Sequence, residues 1–151
     1  MRILLALDGS SHSDAAIDEI VKRPWPTGSE VKVIAVAEIP VMVGIEPWAA
    51  TPDYFETIEK GIRLAAESVI SKALTRLNTC EDKRLQIRGE VIEGLARQVI
   101  VDEANKWNAD LIVMGSRGLG AWNRLLLGSV SSAVVHHAEC SVEIVRTRKA
   151  E

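Results

Sequence analysis

The sequence predicts a doubly wound α/β fold: a five-stranded parallel sheet in the order 3-2-1-4-5 with helices on both faces. Three observations carry this. Short apolar runs alternate with amphipathic stretches along the whole chain, a pattern that implies parallel strands joined by helical crossovers. Two of the runs, Arg2 to Leu7 and Leu111 to Met114, are almost continuously apolar, as strands buried on both faces must be. Right-handed crossovers then leave few five-strand topologies, and 3-2-1-4-5 reverses direction between strands one and four.

The first strand is RILLAL, Arg2 to Leu7. Asp8-Gly9-Ser10-Ser11 is a turn cluster with good helix N-caps. A helix is predicted from about Ser13 to Lys22, with Ala15, Ala16, Ile17, Ile20 and Val21 as its apolar face, and Pro24 and Pro26 prevent its continuation. Glu30 to Ala37 is the second strand. Pro40 to Pro52 reads as a loop containing Gly44, Pro47 and Trp48, long enough to serve as a lid. Asp53 is read as the N-cap of the longest helix, Tyr54 to Leu77, on the spacing of Ile58, Ile62, Ala65, Val69, Ala73 and Leu77. Arg84 to Ile92 alternates as a third strand, and Glu93-Gly94 turns into a helix from Leu95 to Trp107 that Asn108 closes. Strand four is Asp110 to Met114, the last helix Ser129 to His137, strand five Val142 to Arg146, and the tail from Thr147 is expected to fray.

A length of 151 residues suits one domain spanning 1–151. A formal charge of −3 with both signs interspersed, and aromatics at only 4%, argue against a nucleic-acid platform. Cys80 and Cys140 form neither a CxxC pair nor a disulfide framework, which fits a reduced, cytoplasmic setting. The opening run is too short for a signal peptide. No apolar run approaches the roughly 18 residues of a membrane span.

The switch point lies between strands one and four, and ligands of such sheets bind outside the carboxyl ends of the strands there. Those ends are Asp8-Gly9-Ser10 and Gly115-Ser116-Arg117-Gly118. The second continues to Gly128-Ser129 at the start of a helix. Strand, glycine loop and helix N-terminus are together the parts of a phosphate site. The spacing is Gly115-x2-Gly118-x9-Gly128-Ser129. No Gly-Lys-Ser/Thr follows, so it is not a Walker A loop, and the glycine order excludes the Rossmann fingerprint. Gly115 and Gly118 are expected to permit positive φ and close backbone approach.

That spacing at the end of strand four resembles the nucleotide-binding signature of the universal stress protein family. MRILLALDGSSHSDAAI looks like the family's opening strand, Asp and first helix, EGLARQVIVDEANKWNADLIVMGSRG like its third helix and fourth strand, and GSVSSAVVHHAECSVEIVR like its closing helix and strand. The family often has proline near Glu139 and Ser141, and this chain has neither. The resemblance implies one flavodoxin-like (adenine nucleotide alpha hydrolase-like) domain that binds ATP, ADP or AMP, with Mg²⁺ on the phosphates. Carried onto matching positions, it places Gly115, Gly118, Gly128, Ser129 and Val130 around the phosphates, with Ser131 adding a hydroxyl. It places Asp8 near the ribose or a phosphate-bound Mg²⁺, the backbone of Ala6, Leu7 and Val36 at the adenine, and Met114 close by. Physically, Asp8 is a hard oxygen ligand or a hydroxyl acceptor, and Ser129 can donate a hydroxyl. Arg117 and Arg124 are candidates for offsetting triphosphate charge.

Other residues have plainer readings. His136 and His137 are adjacent on a helix, so they point apart and complement its C-terminal dipole. Asp8, Ser10 and His12 suggest a catalytic triad, but a turn and helix cap explains them. Both cysteines are expected to be inert. Trp107 reads as packing; Trp122, inside the loop, is a candidate flap or subunit contact. The last strand is a sheet edge, and the resemblance implies a homodimer through Cys140 to Arg146. The first functional expectation is a nucleotide-dependent stress or signalling module with slow or no hydrolysis, since neither a P-loop lysine nor a general base accompanies the loop. The alternatives are a slow Mg²⁺-dependent ATPase or nucleotidyl-transfer enzyme, and an interaction module that binds no nucleotide.

Overall fold

A computed structural model of the chain describes residues 1–39, 52–79, 85–119 and 127–147. Five strands, β1 (Arg2–Leu7), β2 (Glu30–Ala37), β3 (Gln86–Glu93), β4 (Leu111–Gly115) and β5 (Ser141–Val145), form one sheet ordered β3-β2-β1-β4-β5. Every pairing is parallel. Between them run α1 (Ser11–Lys22), α2 (Pro52–Asn78), α3 (Ala96–Trp107) and α4 (Ser129–His137). Sheet order and strand direction are those the sequence predicts.

Side chains of β1 alternate between two cores, as the period of a strand requires. Ile3, Leu5 and Leu7 pack with Ala16, Ile17 and Ile20 of α1 and with Ala66, Ile70, Ala73 and Leu77 of α2. Leu4 and Ala6 pack on the other face with Ile100 and Ala104 of α3 and Val134 of α4. This double burial is why RILLAL carries no polar residue after Arg2. It also brings the N-termini of α1, α3 and α4 to the carboxyl end of the sheet.

Several local details differ from expectation. α1 begins at Ser11, because Ser10 caps it through a bond from the Ser13 N–H, and Val21 is exposed. Asp53 lies inside the first turn of α2. The helix opens on Pro52, since a proline suits a position whose N–H would be unsatisfied anyway. Ala65 faces solvent, and Ala66 and Ile70 fill the core with Ala73 and Leu77; both stripes have helical 3-4 spacing, and the path of α2 over the sheet selects the second. Leu95 is the N-cap of α3, not its first residue, while Asn108 closes that helix in the left-handed conformation, φ 53°. β4 runs one residue further than expected, to Gly115, and β5 starts and ends one residue earlier. α4 leads into β5 through Ala138 in extended backbone, without proline.

One buried charge interrupts the apolar pattern of β2. Lys32 is 7% exposed, and its ammonium bonds Glu103 of α3 and, at 2.6 Å, Glu90 of β3. Burial pulls the Lys32 pKa down, but hydrogen bonds to the two carboxylates outweigh it and hold the ammonium above its ordinary value.

Candidate functional site

At the carboxyl ends of β1, β2 and β4 the structure opens a cavity of about 560 Å³, within the range of small-molecule sites. Twelve of the residues singled out in the sequence line it. Ala6, Leu7 and Asp8 come from the end of β1, and Val36 from β2. Met114, Gly115, Arg117 and Gly118 come from β4 and the loop after it, and Gly128, Ser129, Val130 and Ser131 from the start of α4. Five further lining residues escaped the sequence reading: Ser13, Ile34, Ala96, Ile100 and Leu127. Ile34 stands two residues before Val36 on the same strand face, which was a usable signal. Ile100 of α3 serves both core and cavity. One end of the cavity is therefore apolar, floored by Ala6, Ile34, Ile100 and Met114.

The other end is set by helix termini. The first N–H groups of any helix lack intrahelical acceptors, and three helices start here. At α1, Ser10 accepts the Ser13 N–H at 3.2 Å, and the Asp8 carboxylate accepts the Ser10 N–H at 3.0 Å. At α3, the Ala96 N–H donates to Glu38 Oε2 at 3.4 Å. α4, like α3, has no side-chain cap and no acidic residue in its first turn, and its N-cap is Gly128. The Gly128 N–H donates to the Ser116 carbonyl at 2.9 Å. Ser129, Val130 and Ser131 follow along the cavity wall. Among the described residues, Asp8 reaches the α1 terminus and Glu38 the α3 terminus, and none places a carboxylate on that of α4.

The glycines act through space and not through unusual backbone angles. Positive φ among the described residues occurs at Gly9, Gly28, Gly94 and Asn108, so the expectation for Gly115 and Gly118 is corrected. A Cβ on Gly115 would lie 2.7 Å from the His12 carbonyl carbon and 2.7 Å from its Cβ; one on Gly118 would lie 2.6 Å from Asp8 Oδ2. β4 and its loop are thus pressed directly onto α1 and the Asp8 carboxylate. Opposite, the buried Ser131 hydroxyl donates to the Gly115 carbonyl at 2.9 Å, tying α4 to the end of β4.

Asp8 is held from three sides. Oδ1 accepts from the Ser10 N–H and the Ser13 hydroxyl, and Oδ2 accepts from the Leu119 N–H at 3.2 Å. His12 takes no part: its Nδ1 lies 3.3 Å from Thr147 Oγ1, and the Ser10 hydroxyl donates to the Arg117 carbonyl at 3.3 Å. The Asp8-Ser10-His12 triad is therefore not assembled. Partial burial and then the Arg117 charge lower the His12 pKa, against the pull of Asp8.

The remaining candidates fall outside the cavity. His136 and His137 are exposed, each bonded through Nδ1 to the carbonyl four residues back, Ser132 and Ala133. Trp107 packs beneath the Arg88 guanidinium, 5.0 Å from its ring centre. Cys140 is half-buried, and burial pushes its thiol up. Arg124, Trp122, Cys80 and the stretch 40–51 lie outside the described residues. Among the described residues no group of three His, Cys, Asp or Glu side chains could hold a metal ion, and no helix is long and apolar enough to cross a membrane.

A parallel sheet with a cavity at its switch point, apolar at one end and closed by an uncapped helix terminus at the other, places the chain in the doubly wound class with its candidate site where that class binds ligands. Comparison with known proteins sharpens this. The family model described as "Universal stress protein family" matches residues 1–146, and the chain belongs to that family. It is 35% identical over 145 residues to a universal stress protein of Thermus aquaticus, covering 95% of this chain and 97% of that one. It is 30% identical over 150 residues to universal stress protein MJ0531 of Methanocaldococcus jannaschii, covering 99% and 84%. Among solved structures, hypothetical protein MJ0577 superposes with a TM-score of 0.82 at 19% identity, covering 99% of this chain and 97% of that one. Two others carry ligands. A universal stress protein in complex with cAMP superposes at 0.66 with 21% identity, covering 98% of each chain. An Arabidopsis thaliana member with AMP bound superposes at 0.64 with 18% identity, covering 98% and 92%.

Proposed function

We propose that this chain binds an adenine nucleotide in the switch-point cavity and acts as a nucleotide-dependent stress or signalling module with slow or no hydrolysis. One observation carries the reading: α4 brings an N-terminus without a carboxylate of its own to a cavity whose far end is apolar. A base fits the apolar end by burial, and phosphates fit the α4 terminus, where N–H groups and the helix dipole favour an anion. The AMP and cAMP held by the two structural neighbours support the same ligand class.

In this reading Ala6, Leu7 and Val36 offer backbone to the base edge, with Met114 beside it. Gly115, Gly118, Gly128, Ser129, Val130 and Ser131 surround the phosphates, and Arg117 adds positive charge. A Mg²⁺ ion would find one protein carboxylate here, Asp8, and would be held mainly by phosphate oxygens and water, as is usual for this ion. Asp8 already accepts from three protein donors, so its oxygens are turned to the loop and the cap of α1 and are poorly placed to collect a proton from water. That supports slow or no turnover over an ATPase or transferase.

The test is denaturation of purified protein, chromatography of any released nucleotide, and calorimetry on the emptied protein. Absence of binding by ATP, ADP and AMP below about millimolar, where only some 4 kcal/mol is gained, would sink the proposal. Gly118→Val and Gly128→Val should weaken ATP binding while circular dichroism stays native; unchanged affinity would remove the loop from the site. A cytoplasmic setting accompanies this reading.

We further infer a homodimer paired through β5, an edge strand that carries Val142, Ile144 and Val145. Its inner edge pairs β4, and a bidentate bond from Arg23 to Glu143, 2.8 Å on each arm, anchors its α1 face. The outer edge keeps its backbone groups for another chain. Ile144→Lys should shift the mass in sedimentation from dimer to monomer, and an unaltered mass would count against the pairing.

A further inference from the structure

We propose that Ser13, together with Asp8, forms a clasp that holds the glycine loop in place for a phosphate, making Ser13 a positioning residue of the site. The proposal rests on the nucleotide reading for its ligand and on geometry for its mechanism. Ser13 is 3% exposed and lines the cavity. Its hydroxyl accepts the Asp8 N–H at 2.9 Å and donates to Asp8 Oδ1. Both roles of a hydroxyl are thus used on one residue, fixing the backbone and carboxylate of Asp8 together. The Ser10 N–H supports the same oxygen at 3.0 Å.

The carboxylate so fixed faces the loop. Oδ2 accepts the Leu119 N–H across 111 residues of sequence, and it occupies the space where Gly118 would carry a side chain. The Ser10 hydroxyl reaches the Arg117 carbonyl from the same turn. The loop from Arg117 to Leu119 is therefore held at two carbonyl or amide groups by the cap of α1. Among the described residues no other hydrogen bond holds the Leu119 amide. Because the carboxylate occupies this corner, a phosphate is directed to the α4 side, where the N–H groups carry no carboxylate of the chain.

The clasp predicts a split that a general loss of stability does not produce. In Ser13→Ala the Asp8 charge remains but loses its hydroxyl anchor. The Leu119 amide should exchange with solvent several-fold faster by NMR. ATP affinity should fall about fivefold or more, the scale of one net hydrogen bond, while adenine, which uses only the apolar end, should bind as in wild type. Unchanged Leu119 exchange would overturn the clasp. Equal losses for ATP and adenine would overturn its role toward phosphate. If Ser13→Ala does not fold, Asp8→Asn gives the same exchange test, since the charged acceptor is lost from an exposed side chain. Wild-type protein that binds neither ATP nor adenine would refute the nucleotide reading and with it the phosphate role, and Leu119 exchange would then decide the clasp alone.

Discussion

Gly118→Ala isolates the contact between the glycine loop and Asp8. The new Cβ would lie 2.6 Å from Asp8 Oδ2 and 3.7 Å from its Cγ. φ at Gly118 is not positive, so alanine adds no backbone strain and the clash is with the carboxylate alone. That carboxylate has nowhere to retreat without releasing the Leu119 N–H at 3.2 Å, because its other oxygen is held by Ser10 and Ser13. A hydrogen bond to a charged group contributes about 1.5–3 kcal/mol, and the exposure of Asp8 puts the loss near the lower end. The expected cost of about 1.5 kcal/mol is close to a tenfold change in the unfolding equilibrium. The assay is urea denaturation of wild type, Gly118→Ala, Asp8→Ala and the double variant. Removing the carboxylate removes the obstacle, so the alanine at 118 should cost nearly nothing in the Asp8→Ala background, a coupling of about the full single-variant value. Additive costs in the double variant would refute the reasoning, because the glycine would then be needed for something other than Asp8.

Gly115→Ala should be the more damaging substitution: its Cβ would meet the His12 carbonyl carbon at 2.7 Å and the carbonyl oxygen at 2.9 Å. Helix backbone cannot swing aside as a carboxylate can, and a loss of about 1–3 kcal/mol or more is expected, measurable as a larger fall in thermal midpoint than at Gly118. Lys32→Met should cost about 3–5 kcal/mol by leaving the buried Glu103 without its partner, and Glu103→Gln in the same chain should recover part of it. The cluster also sets a pH window. The Lys32 hydrogen bond holds Glu90 below the usual glutamate range, so its contribution is full above that range and is lost as pH falls through the folded value. Lys32 is raised, so its contribution is full below the ordinary lysine pKa and is lost as pH rises through the folded value. The difference in urea midpoint between wild type and Lys32→Met should therefore be widest between those limits and shrink on both sides.

The fold was legible because burial on two faces leaves a strong mark. RILLAL and LIVM have no solvent face to tolerate polar residues, and the crossover rule then supplied the order. Lys32 shows where that signal fails. In VKVIAVA a single lysine reads as a solvent-facing residue, yet it is buried against Glu103, 71 residues away on α3. Only the docking of α3 onto β2 makes this pairing visible. Ala65 and Ala66 show a smaller failure: two adjacent alanines are chemically identical to a periodicity argument, and the path of α2 over the sheet decides which is buried.

At the site, residue types and spacing identified the cavity wall but not the work each residue does. A glycine letter does not distinguish positive φ from close approach, and at 115 and 118 the structure answers close approach. Ser13 carried no signal, since a serine in the first turn of a helix is commonplace. Its partner network depends on Leu119, which only the folded sheet brings near.

The helix termini of α1 and α4 look equivalent in the letters, since Asp8-Gly9-Ser10 and Gly128-Ser129 are both good anion sites. The structure separates them: among the described residues, α1 and α3 receive Asp8 and Glu38, and α4 receives no carboxylate. If that difference decides where a phosphate goes, supplying the missing carboxylate should close the site. Gly128→Asp does so. Gly128 has φ −62° and ψ 157°, which aspartate adopts freely, and its Cβ would find Arg117 Cα at 3.4 Å and the Ser116 oxygen at 3.5 Å, tight but without a backbone collision. An aspartate N-cap is better than glycine by a few tenths of a kcal/mol, and its charge at the dipole adds about 0.3–1 kcal/mol. Thermal stability should hold or rise slightly. ATP affinity should fall at least about tenfold, because the new carboxylate takes the N–H groups and repels the phosphate. Stability and affinity moving in opposite directions is the signature of a helix terminus kept open for a ligand. If ATP binding survives Gly128→Asp, the phosphates do not sit at α4.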